Sequence, residues 1–135
     1  MVFLSLLPNV FTIKPKSLHI TLCCEIGCFH HAVGVADPSI IPDNQMTASS
    51  YYDTDWLPEY GRLNDSRGDG WSTYYSESID DWLQIDFGRT VEVCAVETQG
   101  NVWGDEWVID FYLSFSPDGI SWTNYTDGNG AQAVS

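Results

Sequence analysis

Basic residues are scarce in this chain: five Lys and Arg stand against nineteen Asp and Glu, for a formal net charge of -14. So acidic a surface repels phosphate backbones and anionic lipid headgroups, which argues against nucleic acid as a partner and disfavours purely electrostatic adsorption to an anionic membrane. A cationic partner, a metal ion or a neutral polymer fits the charge better. Cysteine is sparse too. Four cysteines are too few for a disulfide-dense miniprotein, and Cys23, Cys24 and Cys28 lack a second ligand pair at zinc-site spacing. His30 and His31, close to Cys28, read as loop residues. Long apolar runs are missing as well: Val2 to Ile13 is broken by Pro8, Leu18 to Cys24 is shorter still, and neither reaches the length of a membrane span. No Ser, Cys or His sits in a recognisable nucleophile context, and abundant carboxylates do not by themselves make a catalytic pair. The chain therefore reads as a non-enzyme.

What is present points to an all-β domain. At 135 residues there is room for one core, and 44% hydrophobic content with six Trp fits a folded globular chain. Leu83, Ile85 and Phe87 alternate with Gln84 and Asp86, the period of two of a strand with one buried face. Gly88-Arg89-Thr90 breaks that pattern before a second apolar strand, Val91 to Gly100, which reads as antiparallel to the first and more central. Trp107, Ile109, Phe111, Leu113 and Phe115 alternate with Val108, Asp110, Tyr112, Ser114 and Ser116 in the cleanest strand pattern of the sequence. Ser116-Pro117-Asp118-Gly119 then turns the chain into Ile120-Ser121-Trp122 as a hairpin.

Residues 1–27 read as a leader or non-domain segment. Lys14 and Lys16 serve as a positive flank and Leu18 to Cys24 as a short apolar core of a candidate secretion signal, although the first apolar patch precedes the charge.

Trp82-Leu83-Gln84-Ile85-Asp86-Phe87-Gly88, followed by Thr98-Gln99-Gly100, resembles the discoidin family, also called the coagulation factor 5/8 C-terminal type domain. Ala32 to Ser50 and Arg62-Leu63-Asn64 upstream, and Trp107-Val108 and Phe115 to Trp122 downstream, match in the family's order. The resemblance implies a galactose-binding-like jelly-roll β-sandwich, a distorted barrel, over residues 28–135. It also implies that the domain is incomplete at its C-terminus, with an open sheet edge. In the family a cysteine at the position of Cys28 pairs with one near the domain's end; no cysteine follows Cys94 here, so that partner is absent from this chain. Cys94 itself reads as a buried free thiol.

By the same resemblance, ligand recognition lies on loops projecting from one end of the sandwich. The first loop carries Tyr52, Asp53, Asp55, Trp56 and Leu57, and the second carries Trp103, Asp105 and Glu106. Trp56 and Leu57 read either as ligand contacts or as packing under a surface loop. Asp69 matches an acidic pocket residue of the collagen-binding discoidin receptors, and Tyr52 stands where they place a tryptophan.

Three short motifs overlap between these loops. Arg67-Gly68-Asp69 spells an integrin-recognition tripeptide, or else ordinary turn chemistry. Asn64-Asp65-Ser66 and Asn124-Tyr125-Thr126 are N-glycosylation acceptor patterns, meaningful only in a secreted chain. Asp65 to Gly70 half-resembles a calcium loop, but Arg67 takes its third position and Ser76 its twelfth. A structural Ca2+ held by other loop carboxylates stays open, and no metal ligand set is assigned.

The expected function is that of an extracellular adhesion or recognition module, secreted or part of an ectodomain. Its partner is a matrix or cell-surface protein, with collagen a candidate. A carbohydrate-binding module is the alternative. A phospholipid-binding module of the kind seen among clotting relatives is less favoured, because Asp53, Asp55, Asp105 and Glu106 occupy the loop tips where those members carry apolar groups backed by basic ones.

Overall fold

The computed structural model describes residues 2–6, 10–14, 19–23, 33–74, 81–91, 93–101, 103–105, 107–108, 111–126, 130 and 133–134. The strands are β1 (Val2–Leu6), β2 (Val10–Lys14), β3 (His19–Cys23), β4 (Met46–Ala48), β5 (Leu83–Asp86), β6 (Val93–Gln99), β7 (Phe111–Ser116), β8 (Thr123–Asn124) and β9 (Ala133–Val134). Two 3-10 turns, Asp43–Gln45 and Pro58–Gly61, flank β4. The regular structure among the described residues is otherwise β, as the alternating pattern predicts.

The strands form two sheets, one ordered β1-β6-β3 and the other β4-β5-β2-β7-β8, with β9 also on β7. All pairings are antiparallel. In β5, Leu83 and Ile85 are fully buried while Gln84 and Asp86 are half-buried. In β7, Phe111 and Leu113 are buried and Tyr112 is exposed. These residues meet Val93 and Val96 of β6, so the inner faces of the two sheets enclose one core. Val35, Ile41, Met46, Trp71, Phe87 and Val91 complete it from the flanking segments. Each fully buried aliphatic side chain contributes about 1.5–3 kcal/mol. Among the described residues this is the β-sandwich that the resemblance implies, open rather than closed into a barrel.

Three features differ from the pattern read in sequence. β5 and β6 do not pair with each other; each belongs to a different sheet. A period of two fixes which face is buried but not which neighbour completes the ladder, so both arrangements satisfy it. β7 is described from Phe111, Ile109 lies outside the described residues, and Trp107 is 64% exposed instead of continuing the buried row. Residues 1–27, which read as a leader, hold β1, β2 and β3: β2 inserts between β5 and β7, while β1 and β3 flank β6. The hairpin forms where its turn chemistry places it. Ser116 Oγ accepts from the N–H groups of Asp118 and Gly119 at 3.2 and 2.8 Å, and Asp118 Oδ1 accepts from Ile120 and Ser121 at 2.8 Å each. Those bonds hold the Asp118 carboxyl down to about 2, and Gly119 takes the left-handed φ of 71° that the turn requires.

Candidate functional site

Strand register decides which loops share an end of the molecule. Ala48 lies opposite Leu83, Leu83 opposite Ile13, and Ile13 opposite Leu113. The end of β4 and the start of β7 therefore share one end of the larger sheet, the loop pole, from which the 49–57 loop leaves. The second expected loop, 101–106, belongs to the connection between β6 and β7, and its residues 102 and 106 lie outside the described residues.

The first loop is held from beneath. Ser49 N–H donates to the Trp82 carbonyl at 3.0 Å, and the hydroxyls of Ser49 and Ser50 donate to Asp81 Oδ1 at 2.6 and 3.0 Å. Trp71, with its ring fully inside the core, donates its indole N–H to the Ser50 carbonyl at 3.0 Å. Tyr52 N–H donates to Ser72 O at 3.0 Å, and Tyr74 N–H to Ser50 Oγ at 3.1 Å. The loop tip is a pair of local turns, with Asp55 N–H donating to Asp53 Oδ1 at 2.9 Å and Trp56 N–H to Asp53 O at 3.1 Å. Asp69 N–H then reaches Asp55 O at 2.9 Å, which joins the 67–70 stretch to the same tip.

A charged network anchors the other side of that stretch. Arg62, buried among apolar groups, donates to the carbonyls of Val35 and Ile41 and to Asp43 Oδ1. Arg67 reaches Asp43 Oδ2 and Asp65 Oδ2, both at 2.7 Å, and its guanidinium sits 5.3 Å from the Tyr60 ring centroid. The Arg67 side chain holds the Asp43 carboxyl below the usual carboxylate range, aided by Arg62. Burial pushes Asp65 up, but hydrogen bonds from the Arg67 side chain and backbone outweigh it and its net displacement is downward. Both carboxylates drive the Arg67 guanidinium further above its ordinary range. Asn64, at φ 59°, donates its N–H to Gln99 Oε1 at 3.2 Å and so links this stretch to the end of β6.

The sequence-predicted residues separate into two groups. Tyr52 is 57% exposed and Trp103 is 75% exposed; Asp53, Asp55 and Asp105 are exposed with them. Trp56, Leu57 and Asp69 are half-buried, and for Trp56 and Leu57 this matches packing beneath the tip as much as contact with a ligand. Glu106 and Cys28 lie outside the described residues. The integrin-type tripeptide is folded inward in part. The Arg67 guanidinium is committed to Asp43 and Asp65, and Gly68 lies so close under Tyr60 and the Asp55 carbonyl that a Cβ would overlap both. The half-calcium loop is likewise taken, because both Asp65 carboxylate oxygens accept from Arg67. Among the described residues, no three His, Cys, Asp or Glu side chains group as a metal site. Sequence reasoning leaves out Tyr51, Tyr74 and Trp107, all exposed around these loops. Trp107 is hidden because the apolar alternation of the sequence runs through it as though it were part of the buried row. Tyr51 and Tyr74 carry a signal in the tyrosine pairs, Tyr51-Tyr52 and Tyr74-Tyr75, that open and follow the loops.

Comparison with known proteins gives one family. The model of the F5/8 type C domain matches residues 45–134. Lactadherin of Sus scrofa is 37% identical over 115 residues, covering 78% of this chain and 28% of that protein. Lactadherin of Bos taurus is 34% identical over 121 residues, 83% of this chain and 28% of its own length. Lactadherin of Rattus norvegicus is 35% identical over 115 residues, 78% and 26% respectively. The chain thus spans about a quarter of the length of these relatives. No solved structure gives a significant match.

Proposed function

The chain belongs to the F5/8 type C domain family, a family of extracellular binding modules, and from that premise we propose that it is an adhesion module gripping a matrix or cell-surface protein through its loop pole. The observation that carries this reading is the pole's composition. Exposed rings of Tyr51, Tyr52, Tyr74, Trp103 and Trp107 lie on loops that also expose Asp53, Asp55 and Asp105, while the arginines of the same loops are bound to carboxylates. Rigid rings offer contact area at low entropic cost, and carboxylates beside them accept from basic side chains or hydroxyls. A collagen-like protein satisfies both demands. Stacking on sugar faces is a second use of the same rings. Anionic membrane suits the rings but not the carboxylates, which repel lipid phosphates.

Presenting the chain to collagen-coated, glycan-coated and phosphatidylserine-vesicle surfaces separates these readings, with Asp69→Asn as a probe of that carboxylate. Retention on collagen that weakens in Asp69→Asn supports the adhesion reading. Retention by the vesicles alone contradicts it.

A further inference from the structure

We propose that Asn124 carries an N-linked glycan whose first sugar lies against the Trp122 ring, capping the exposed edge of the larger sheet. The acceptor pattern Asn124-Tyr125-Thr126 coincides with β8, which closes one side of the order β4-β5-β2-β7-β8. Asn124 is exposed, and its amide oxygen accepts from the Ser114 hydroxyl at 2.7 Å across the β7–β8 pair. That bond uses Oδ1 only. It orients the amide while keeping Nδ2, the atom that glycosylation modifies, out of the contact. Residues two apart in an extended segment return to one face, so Trp122 precedes Asn124 on the side where the sugar would emerge, and Thr126 follows it there. Trp122 is 39% exposed, enough ring surface for the apolar face of a pyranose to cover.

In the transfer, Nδ2 bonds to the anomeric carbon of a polyprenyl-diphosphate-linked oligosaccharide. The carbon–oxygen bond to the diphosphate breaks and takes its electron pair with it. One amide proton passes to the transferring enzyme's base, and no oxidant or reductant is involved.

Two features favour Asn124 over Asn64, which opens the other acceptor pattern. Asn64 is followed by an acidic Asp65 and by Ser66 in place of threonine, both of which slow transfer. Its N–H is also bound to Gln99, beside the loop pole. Asn124, by contrast, stands four strand spacings from β4, roughly 19 Å, and a glycan there leaves the 49–57 loop uncovered. An oligosaccharide on β8 also blocks strand addition along that edge, where no further strand pairs among the described residues.

The test is secretion of the full chain from cultured animal cells behind an added cleavable secretion signal, followed by peptide N-glycosidase release in heavy-oxygen water and peptide mass analysis. The label is expected at position 124 and is expected to disappear in Thr126→Ala, a variant that retains the Asn124–Ser114 bond. An unlabelled position 124 in secreted protein overturns the proposal. Glycan trimmed to its first sugar is expected to raise the thermal midpoint by about 2–5 °C over Thr126→Ala. That gain should vanish when both forms also carry Trp122→Ala; a gain of the same size without the ring overturns the stacking.

Discussion

Arg67 shows how a surface tripeptide can be diverted from the role its spelling suggests. Its two ion pairs depress Asp43 and Asp65, so the folded chain binds fewer protons at these groups than the unfolded chain does. Their stabilising effect is therefore full above the ordinary carboxylate value near 3.8 and is lost as pH falls through the lowered folded values. The thermal midpoint is expected to drop as pH falls from about pH 5 to about pH 2, and to drop less steeply in Asp43→Asn; equal slopes would place the acid sensitivity elsewhere. Arg62→Met removes the donors that the Val35 and Ile41 carbonyls rely on and leaves Asp43 with one partner fewer. A loss of about 2–4 kcal/mol in chemical denaturation is expected. Gly68→Ala forces the Tyr60 ring and the Asp55 carbonyl apart, which breaks the Asp69–Asp55 link. Stability should fall by about 1–3 kcal/mol, and amide exchange at Asp69 should quicken more than in the core strands.

At the scale of elements, the buried rows of β5 and of β7 from Phe111 onward were legible in sequence because alternation reports a face. Leu83 and Leu113 were identifiable as core on that ground alone. The turn at 116–119 was equally legible, because Ser116, Asp118 and Gly119 each supply a local bond or backbone angle that needs no distant partner. Pairing was not legible, since nothing in Leu83 to Asp86 says whether β6 lies beside it or across the core. The strands within 2–23 were hidden for a related reason: Pro8 and the Lys14-Pro15-Lys16 break divide an apolar stretch into pieces of strand length that also fit a signal peptide. The Arg67–Asp43 pair joins positions 24 apart and leaves no short-range trace. Leu113→Ala is expected to cost about 2–5 kcal/mol, while Tyr112→Ala, on the outer face of the same strand, should change stability by less than about 1 kcal/mol. Urea titrations of the two variants compare them directly.

For the whole molecule, the excess of fourteen negative charges sets the character of its contacts. Attraction to a basic partner should weaken as salt rises, because exposed charges are screened beyond about 8 Å at physiological ionic strength. The loop pole and the β7–β8 turn offer a comparison within one chain. Tyr52 and Trp103 stand exposed on the two proposed recognition loops, whereas Ile120, 83% exposed, stands at the turn after β7, at the strand end opposite the pole. The most direct measurement is the affinity of Trp103→Ala, Tyr52→Ala and Ile120→Ala for a collagen surface, taken side by side with the unaltered chain. Binding through the pole predicts a loss of about tenfold or more for each ring variant and none for Ile120→Ala; unchanged affinity in both ring variants, or a loss confined to Ile120→Ala, would contradict it.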